Sequence, residues 1–521
     1  MKEHSILRNK YFLYITEFFA GMSVMAVELG ASRLMAPYFS SSQIVWTVII
    51  GVIMIAMALG NIWGGRIADK NPDPAKLYKR ILIAAIWIAL IPFLGRYLIA
   101  GISLLLAVFI TKNFLVWAAL VTCLAIFAFP CVLLGTVTPS LVKYTVNNLD
   151  ENGKIVGELG ALNTIGSIIG TFLPTFVTIP SVGTAATFII FSGILALVGI
   201  IYFVSTRKKA ILCVGSAVII ITLAFFTGNF SFAFWETGIT YEGESIYNYL
   251  QVREDAESVV LSTNVIFGVQ SIMMKNESLT GMYYDYALAA PLMAGMSSKT
   301  DNEMLILGLG TGTYATYCSK YFPGTGIEGV EIDKKIASLA SEYFELSEDV
   351  KVSVYDGRAY LSASEKKYDV IMVDAYQDIT IPFQLSSVEF FTQVSSHLKE
   401  DGVMVVNMNM KSESEDSIND YLCDTIGSVF KYVYTVGAGS NIEVFASNNP
   451  ELIRTFEASR LQIEDQDFSK MMERVSLNLE QRESGNLILT DDKAPVELLG
   501  MKVLDEMIGE ELDYYRDLYL N

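Results

Sequence analysis

Apolar and polar positions alternate along this chain in two different rhythms, and the change falls near residue 230. Before it, apolar residues run almost unbroken in stretches near the roughly 20 residues that a membrane-crossing helix needs: Tyr11–Met35, Ile44–Ile67, Arg80–Ala100, Phe114–Tyr144, Gly160–Pro180, Thr184–Val204 and Ala210–Thr227. The pattern predicts seven crossings, with Gly101–Ile110 left as an extension of the third, a re-entrant piece or an eighth. After it, a linker leads to short β-prone runs between Tyr247 and Gln270. Strands and helices then take turns. The expected strands are Met304–Gly310, Gly326–Ile332, Val350–Tyr355, Tyr368–Val373 and Gly402–Asn407, and the helices between them are Thr313–Tyr321, Lys334–Phe344, Arg358–Ser364 and Ser387–Leu398. A hairpin of Tyr432–Val436 and Ile442–Ala446 closes the series. Alternating β and α elements of this length predict a doubly wound, Rossmann-like α/β sheet. The expected organisation is an α-helical polytopic membrane domain (1–229), a small β-rich lead-in (230–285) and a Rossmann-like domain (286–521).

Charge sharpens this division. Of 37 Lys/Arg and 56 Asp/Glu in 521 residues, the first 229 hold 16 and 8, so the acidity of the chain belongs to its second part. An acidic domain repels polyanions, which argues against a nucleic-acid partner and favours cationic ligands. Five cysteines, three of them in apolar runs, and two histidines, His4 and His397, supply neither a disulfide framework nor a zinc site, so no metal is expected. Basic residues gather before the first apolar run and after the second, fourth and sixth, which places the N-terminus in the cytoplasm of a multi-pass cell-membrane protein. Seven crossings then put the acidic domain outside, whereas the cosubstrate argued for below favours the cytoplasm. Within the first run, Glu17 and Glu28 lie about three turns apart on one helical face. They suit a cation or proton path, or a structural ion pair such as Glu28 with Arg33. Asn61, Asn163, Gly160, Gly166 and Gly170 read as helix-packing positions.

The chemistry is concentrated at the ends of the expected strands. The turn Gly308-Leu-Gly310-Thr311-Gly312 brings backbone close to a ligand, and Glu331, 21 residues past Gly310, ends the next strand. That pairing suits a nucleoside whose ribose is held by a carboxylate. Asp356 and Gly357, after the third strand, are placed to cap an adenine amino group. Asp374, after the fourth, stands where such folds carry out their chemistry.

The order GxGxG, Val330-Glu331-Ile332-Asp333, Asp356-Gly357 and Asp374 resembles that of the spermidine synthases, aminopropyltransferases on a methyltransferase-like Rossmann fold, over roughly residues 240–450. Gly65–Lys70 resembles the cytoplasmic loop motif of major facilitator transporters. With Glu28–Pro37, Ala161–Gly166 and Thr490–Val496, the whole chain resembles membrane-integrated spermidine synthase-like proteins. The resemblance implies decarboxylated S-adenosylmethionine, or S-adenosylmethionine itself, as cosubstrate, and a polyamine or other small amine as acceptor. It implies that Glu331 holds the ribose, Asp356 contacts adenine and Asp374 takes the proton from the attacking amine. Gln270 and Tyr283 match positions lining the donor and acceptor pockets.

Three positions depart from the family pattern: Thr311 replaces an acid of the Gly-rich turn, Gln377 follows Asp374 where a second acid is usual, and Tyr283-Tyr284-Asp285 replaces Tyr-His-Glu. Asp378 and Asp285 are the expected substitutes for the acceptor carboxylate. Two other readings share these residues. One is an S-adenosylmethionine-dependent methyltransferase, for which Thr311 suits a donor that keeps its carboxylate; the other is a polyamine or nucleoside sensor-transporter with a non-catalytic synthase-like domain. Seven spans are few for a full transporter, which leaves room for a homodimer in the bilayer.

Overall fold

The structure, a computed structural model, describes residues 9–145, 152–265, 268–276, 278–375, 381–409, 411–412 and 414–520. The chain forms two compact units. One is Met1–Trp235 with Gly243–Tyr249 and Leu512–Asn521, and the other is Glu236–Glu242 with Leu250–Glu511.

The first unit is helical. Its elements are α1 (Lys10–Phe39), α2 (Gln43–Lys70), α3 (Pro74–Ala107), α4 (Phe114–Cys123), α5 (Phe129–Gly135), α6 (Val137–Thr145), α7 (Asn152–Leu173), α8 (Ile179–Thr206) and α9 (Ala210–Phe226). A π-helical turn at Leu124–Ala128 joins α4 to α5, and another at Pro174–Thr178 joins α7 to α8. Among the described residues, six helical stretches are long and apolar enough to cross a membrane, judged by length and composition. The stretch Asn152–Thr206 has 55 residues, which as one straight rod would reach about 80 Å against a hydrocarbon layer of about 30 Å. It is not one rod. Gly183 (φ 83°, ψ 168°) breaks it, between the fifth and sixth expected runs, and Glu244 caps the restarting helix by accepting from the Thr184 backbone N–H at 2.6 Å and its hydroxyl at 2.5 Å. Gly101–Ala107 is the last part of α3, which settles the choice left open for that stretch.

Small residues let these helices touch. A Cβ on Gly166 would collide with the Phe18 carbonyl oxygen, and one on Gly170 with that of Met22, so α1 and α7 pack backbone to backbone. Gly160 has open space around it and is not the packing position expected for it, whereas Asn163 is one, standing where a Cβ on Gly21 would fall, and its amide also donates to Glu17 at 2.8 Å. Glu17, fully buried, also accepts from Thr138 at 2.6 Å. Arg33 donates to the Ile246 carbonyl, and Glu28 has no ion pair among the described residues, so the expected Glu28–Arg33 pair does not form. Asp69, in the facilitator-like segment, pairs with Lys143 at 3.0 Å.

The second unit holds two sheets. Strands β1 (Ile239–Glu244), β2 (Tyr249–Glu254), β3 (Ser258–Ser262) and β4 (Ser271–Met274) form the lead-in in that spatial order. The main sheet contains β5 (Glu303–Leu307), β6 (Gly326–Glu331), β7 (Lys351–Val354), β8 (Tyr368–Val373), β9 (Leu398–Met408), β10 (Tyr432–Ala438), β11 (Asn441–Ser447) and β12 (Glu480–Gln481), in the order β12-β10-β11-β9-β8-β5-β6-β7. β5 to β9 are parallel and the rest antiparallel. Burial on both faces explains why β5 and β8 read as continuous apolar runs. Strand order reverses between β5 and β8, so a crevice opens at their carboxyl ends, where open α/β sheets bind ligands.

Candidate active site

Gly308, Gly310 and Gly312 follow β5 at that switch point, all with positive φ (88°, 57° and 89°). At Gly308 glycine is required for a second reason. A Cβ there would collide with the backbone carbonyl of Asp374, because the chain leaving β8 closes directly over the turn, with the Asp374 N–H donating to the Leu307 carbonyl at 2.9 Å. The turn is held from both sides. Ser271 Oγ accepts from the Thr311 N–H at 3.1 Å, and Thr313 Oγ1 donates to the Ile272 carbonyl at 2.8 Å, which fastens β4 to the turn.

Glu331 ends β6 and reaches back across the switch point. Oε2 accepts from the Gly310 N–H and Oε1 from the Asp333 N–H, both at 2.9 Å. Burial lifts its carboxyl to about 7, although these amides favour the charged form. Asp356 caps the helix Gly357–Ala363 by accepting from the Ala359 N–H at 2.8 Å. That helix is braced in turn: Arg358 makes two bonds of 2.7 Å to Asp491, within the terminal Thr490–Val496 motif. Gly357 itself meets only ordinary contacts.

Asp374 lies half-buried at the end of β8. Its Oδ2 accepts from the Tyr283 hydroxyl at 2.7 Å and its Oδ1 from Asn407 Nδ2 at 2.8 Å. Burial raises its carboxyl to about 7, against the lowering effect of those two donors. Tyr283 is itself buried, which holds its phenol well above its ordinary range and keeps it a donor. Tyr284 stacks on it with ring centroids 3.9 Å apart and donates to the Gln270 carbonyl at 2.8 Å. An aspartate that is only partly ionised near neutrality, oriented by two donors, is suited to accept a proton.

The structure therefore brings Gln270, Tyr283, Gly308, Gly310, Thr311, Glu331, Asp356 and Asp374 around the ends of β4, β5, β6, β7 and β8. Asp285 does not join them. It is fully buried and its oxygens accept from Thr280 and Gly281, at 2.9 Å from the Thr280 hydroxyl and 2.5 Å from the Gly281 N–H. The expected acceptor carboxylate is a turn cap. Gln377 and Asp378 lie outside the described residues. No group of three or more His, Cys, Asp or Glu that could hold a metal occurs among the described residues. A cavity of about 720 Å³ on the far flank of the turn is lined by Thr311, Thr313, Tyr317, Ile272 and Met274; Glu331, Asp356 and Asp374 do not line it.

Comparison with known proteins adds a decisive observation. Residues 287–439 match the spermine/spermidine synthase domain. A probable polyamine aminopropyl transferase of Bifidobacterium longum is 50% identical over 338 residues, covering 61% of this chain and 75% of that protein. The chain belongs to the polyamine aminopropyltransferase family. A polyamine aminopropyltransferase of Vibrio vulnificus is similar at 28% identity over 211 residues, 39% of this chain and 69% of that one. A probable spermidine synthase from Corynebacterium glutamicum, of known structure, aligns with a TM-score of 0.37 and 20% identity over 48% of this chain and 98% of that one.

This aminopropyltransferase is thus a transferase, and family membership decides for aminopropyl over methyl transfer. The family's cosubstrate is decarboxylated S-adenosylmethionine. Sequence reading missed Asn407, one of the two residues that orient Asp374, and its partner Asn441, whose Nδ2 donates to Asn407 Oδ1 at 2.7 Å. It also missed Glu443, fully buried on β11 and directly opposite Asn407. Polar residues at the ends of apolar strands, Asn407 near the end of β9 and Asn441 at the start of β11, and the acid Glu443 within β11 were the available signal.

Proposed function

We propose that the protein is a membrane-integrated enzyme that transfers the aminopropyl group of decarboxylated S-adenosylmethionine to an amine, with Asp374 as the base. The observation that carries the site assignment is Asp374 itself, which the Tyr283 and Asn407 donors aim at the switch point and burial brings to about 7. Glu331 receives the ribose hydroxyls and Asp356 the adenine edge, so that the sulfonium lies over the Gly308–Gly312 turn. The nitrogen lone pair of the acceptor attacks the aminopropyl carbon next to sulfur. The C–N bond forms, the C–S bond breaks with its electron pair going to sulfur, and the nitrogen gives its proton to the Asp374 carboxylate. Methylthioadenosine leaves. The enzyme positions, deprotonates and excludes water, and the reactive sulfonium supplies the driving force.

The membrane assignment rests on the outward faces of the helices. On α9, Ile211 is 91% exposed and Phe225 81%, with Val214, Val218 and Ile221 between them also exposed. A surface of large aliphatic and aromatic residues along a whole helix suits lipid and is unfavourable in water.

Detergent-purified protein given decarboxylated S-adenosylmethionine and putrescine is expected to yield methylthioadenosine and a lengthened polyamine by mass spectrometry. Adenosylhomocysteine from S-adenosylmethionine under the same conditions, with no methylthioadenosine from its decarboxylated form, would overturn the reaction.

A further inference from the structure

The cavity beside the Gly-rich turn has no part in the reaction above. It holds about 720 Å³, within the size of small-molecule sites, and Glu331, Asp356 and Asp374 all lie outside its wall. Its floor is apolar: Val259 of β3, Ile272 and Met273 of β4, and Phe344 just past the helix Lys334–Tyr343. One polar group breaks that floor. Thr311 lines the cavity and is 1% exposed, and its hydroxyl has no hydrogen-bond partner among the described residues. Buried hydroxyls are ordinarily paired, so this one marks a place for a ligand atom. The mouth is acidic. Glu254 there is matched by Lys275 at 2.8 Å and Lys320 lies over the Tyr321 ring, whereas the exposed Glu342 and Glu345 have no lysine or arginine paired with them among the described residues.

We propose that this cavity is a second binding site, for a small organic monocation with an apolar body, and that its occupant stiffens the donor turn. The cation pairs with Glu342 and Glu345 at the mouth, the body covers Met273 and Phe344, and a polar end reaches the Thr311 hydroxyl. An anion is repelled at the mouth, and a polycation finds no carboxylate on the floor for its second charge. The walls of the cavity are also the supports of the turn. β4 is tied to it through Ser271 at the Thr311 N–H and Thr313 at Ile272, and Leu346, next to Glu345, stands where a Cβ on Gly312 would fall. An occupant that touches β4, Thr311 and the Glu345 segment at once removes freedom from all three, so the turn has less to lose on receiving the donor nucleoside. By linkage, the donor tightens the occupant by the same factor. This coupling rests on the donor assignment above; the binding itself does not.

Calorimetry of the full chain in detergent with tyramine, which combines an ammonium, a ring and a hydroxyl, tests the site; saturating putrescine is present throughout to fill the acceptor pocket. Phenethylamine, which lacks the hydroxyl, should bind about fivefold more weakly, and phenylacetate, with the opposite charge, not at all. Replacing both rim acids, Glu342→Gln with Glu345→Gln, should weaken tyramine at least about fivefold. Thr316→Trp, at an exposed position of the mouth, should block it. All three side chains are exposed, so these variants should melt with the wild type. Methylthioadenosine, as the donor-site probe, should bind about fivefold more tightly when tyramine is present, and the gain should vanish in Thr316→Trp. No tyramine binding below about 1 mM, binding that putrescine or methylthioadenosine displaces, or binding that the variants leave unaltered would overturn the site. Binding that the variants weaken, with methylthioadenosine affinity unmoved by tyramine, would overturn the stiffening.

Discussion

Replacing Asp374 by asparagine should make the protein more stable and inactive at once, and the stability gain should depend on pH. In the folded protein the carboxyl sits at about 7, against an ordinary value of 3.8. That rise corresponds to about 4 kcal/mol. Because the folded value is the higher one, the contribution to stability is fully present below about pH 4 and is lost as pH climbs through 7. Asparagine does not titrate, so its advantage over aspartate grows over the same window. Roughly 2.5 kcal/mol of it falls between pH 5 and pH 8.5, since the unfolded carboxyl is already mostly ionised at pH 5. At roughly 2–4 °C per kcal/mol for a unit of this size, the gap in melting temperature should widen by about 5–10 °C. Scanning fluorimetry of both proteins in the same detergent at pH 5 and pH 8.5 measures it directly. Glu331, whose shift does not depend on Asp374, is present in both proteins and cancels in the difference. A gap that stays constant with pH would refute the claim that Asp374 carries an unfavourable buried charge, and with it the account of why this carboxyl is a base near neutrality.

Two further outcomes follow from the same geometry. Tyr283→Phe removes a donor that lowers the Asp374 value, so the rising limb of the kcat–pH profile should move up by about one pH unit, taking about 1.4 kcal/mol for the hydrogen bond; activity at pH 7 should fall about fivefold and recover by pH 9, and an unmoved profile refutes the role. Gly308→Ala places a Cβ against the Asp374 carbonyl at a φ of 88°, which should cost about 3 kcal/mol or more and abolish the cooperative unfolding of the second unit; unchanged melting would show that β5 and β8 can separate at no cost.

The parts of this structure that were legible in the sequence are those written in local pattern. β5 and β8 are buried on both faces, so they show as unbroken apolar runs, and their ends are marked by Gly308 and Asp374. Glu331 could be placed because the length of one helix and one strand fixes its distance from the turn. The break at Gly183 lay between two runs already separated by Pro-Ser-Val-Gly. Asn407 and Glu443 were illegible for the opposite reason. Each reads as one polar residue in an ordinary strand, and its meaning comes from what stands across the ladder, in the β8–β9 and β9–β11 registers. Sequence does not display register between strands more than thirty residues apart. Asp285 misled because an acid beside Tyr283 looks like a ligand group until the Thr280–Gly281 turn folds back onto it.

The bond from the Gly310 N–H to Glu331 gives the site a built-in gauge. A ribose that claims the Glu331 oxygens has to share them with that amide, and a carboxyl near 7 changes its grip when it ionises. On the proposed assignment of Glu331 to the ribose, occupancy of the nucleoside pocket and the protonation of its carboxylate are both written into the exchange rate and chemical shift of a single backbone proton. Glycine, which has no side chain to contribute, is the residue through which the state of the donor site can be read.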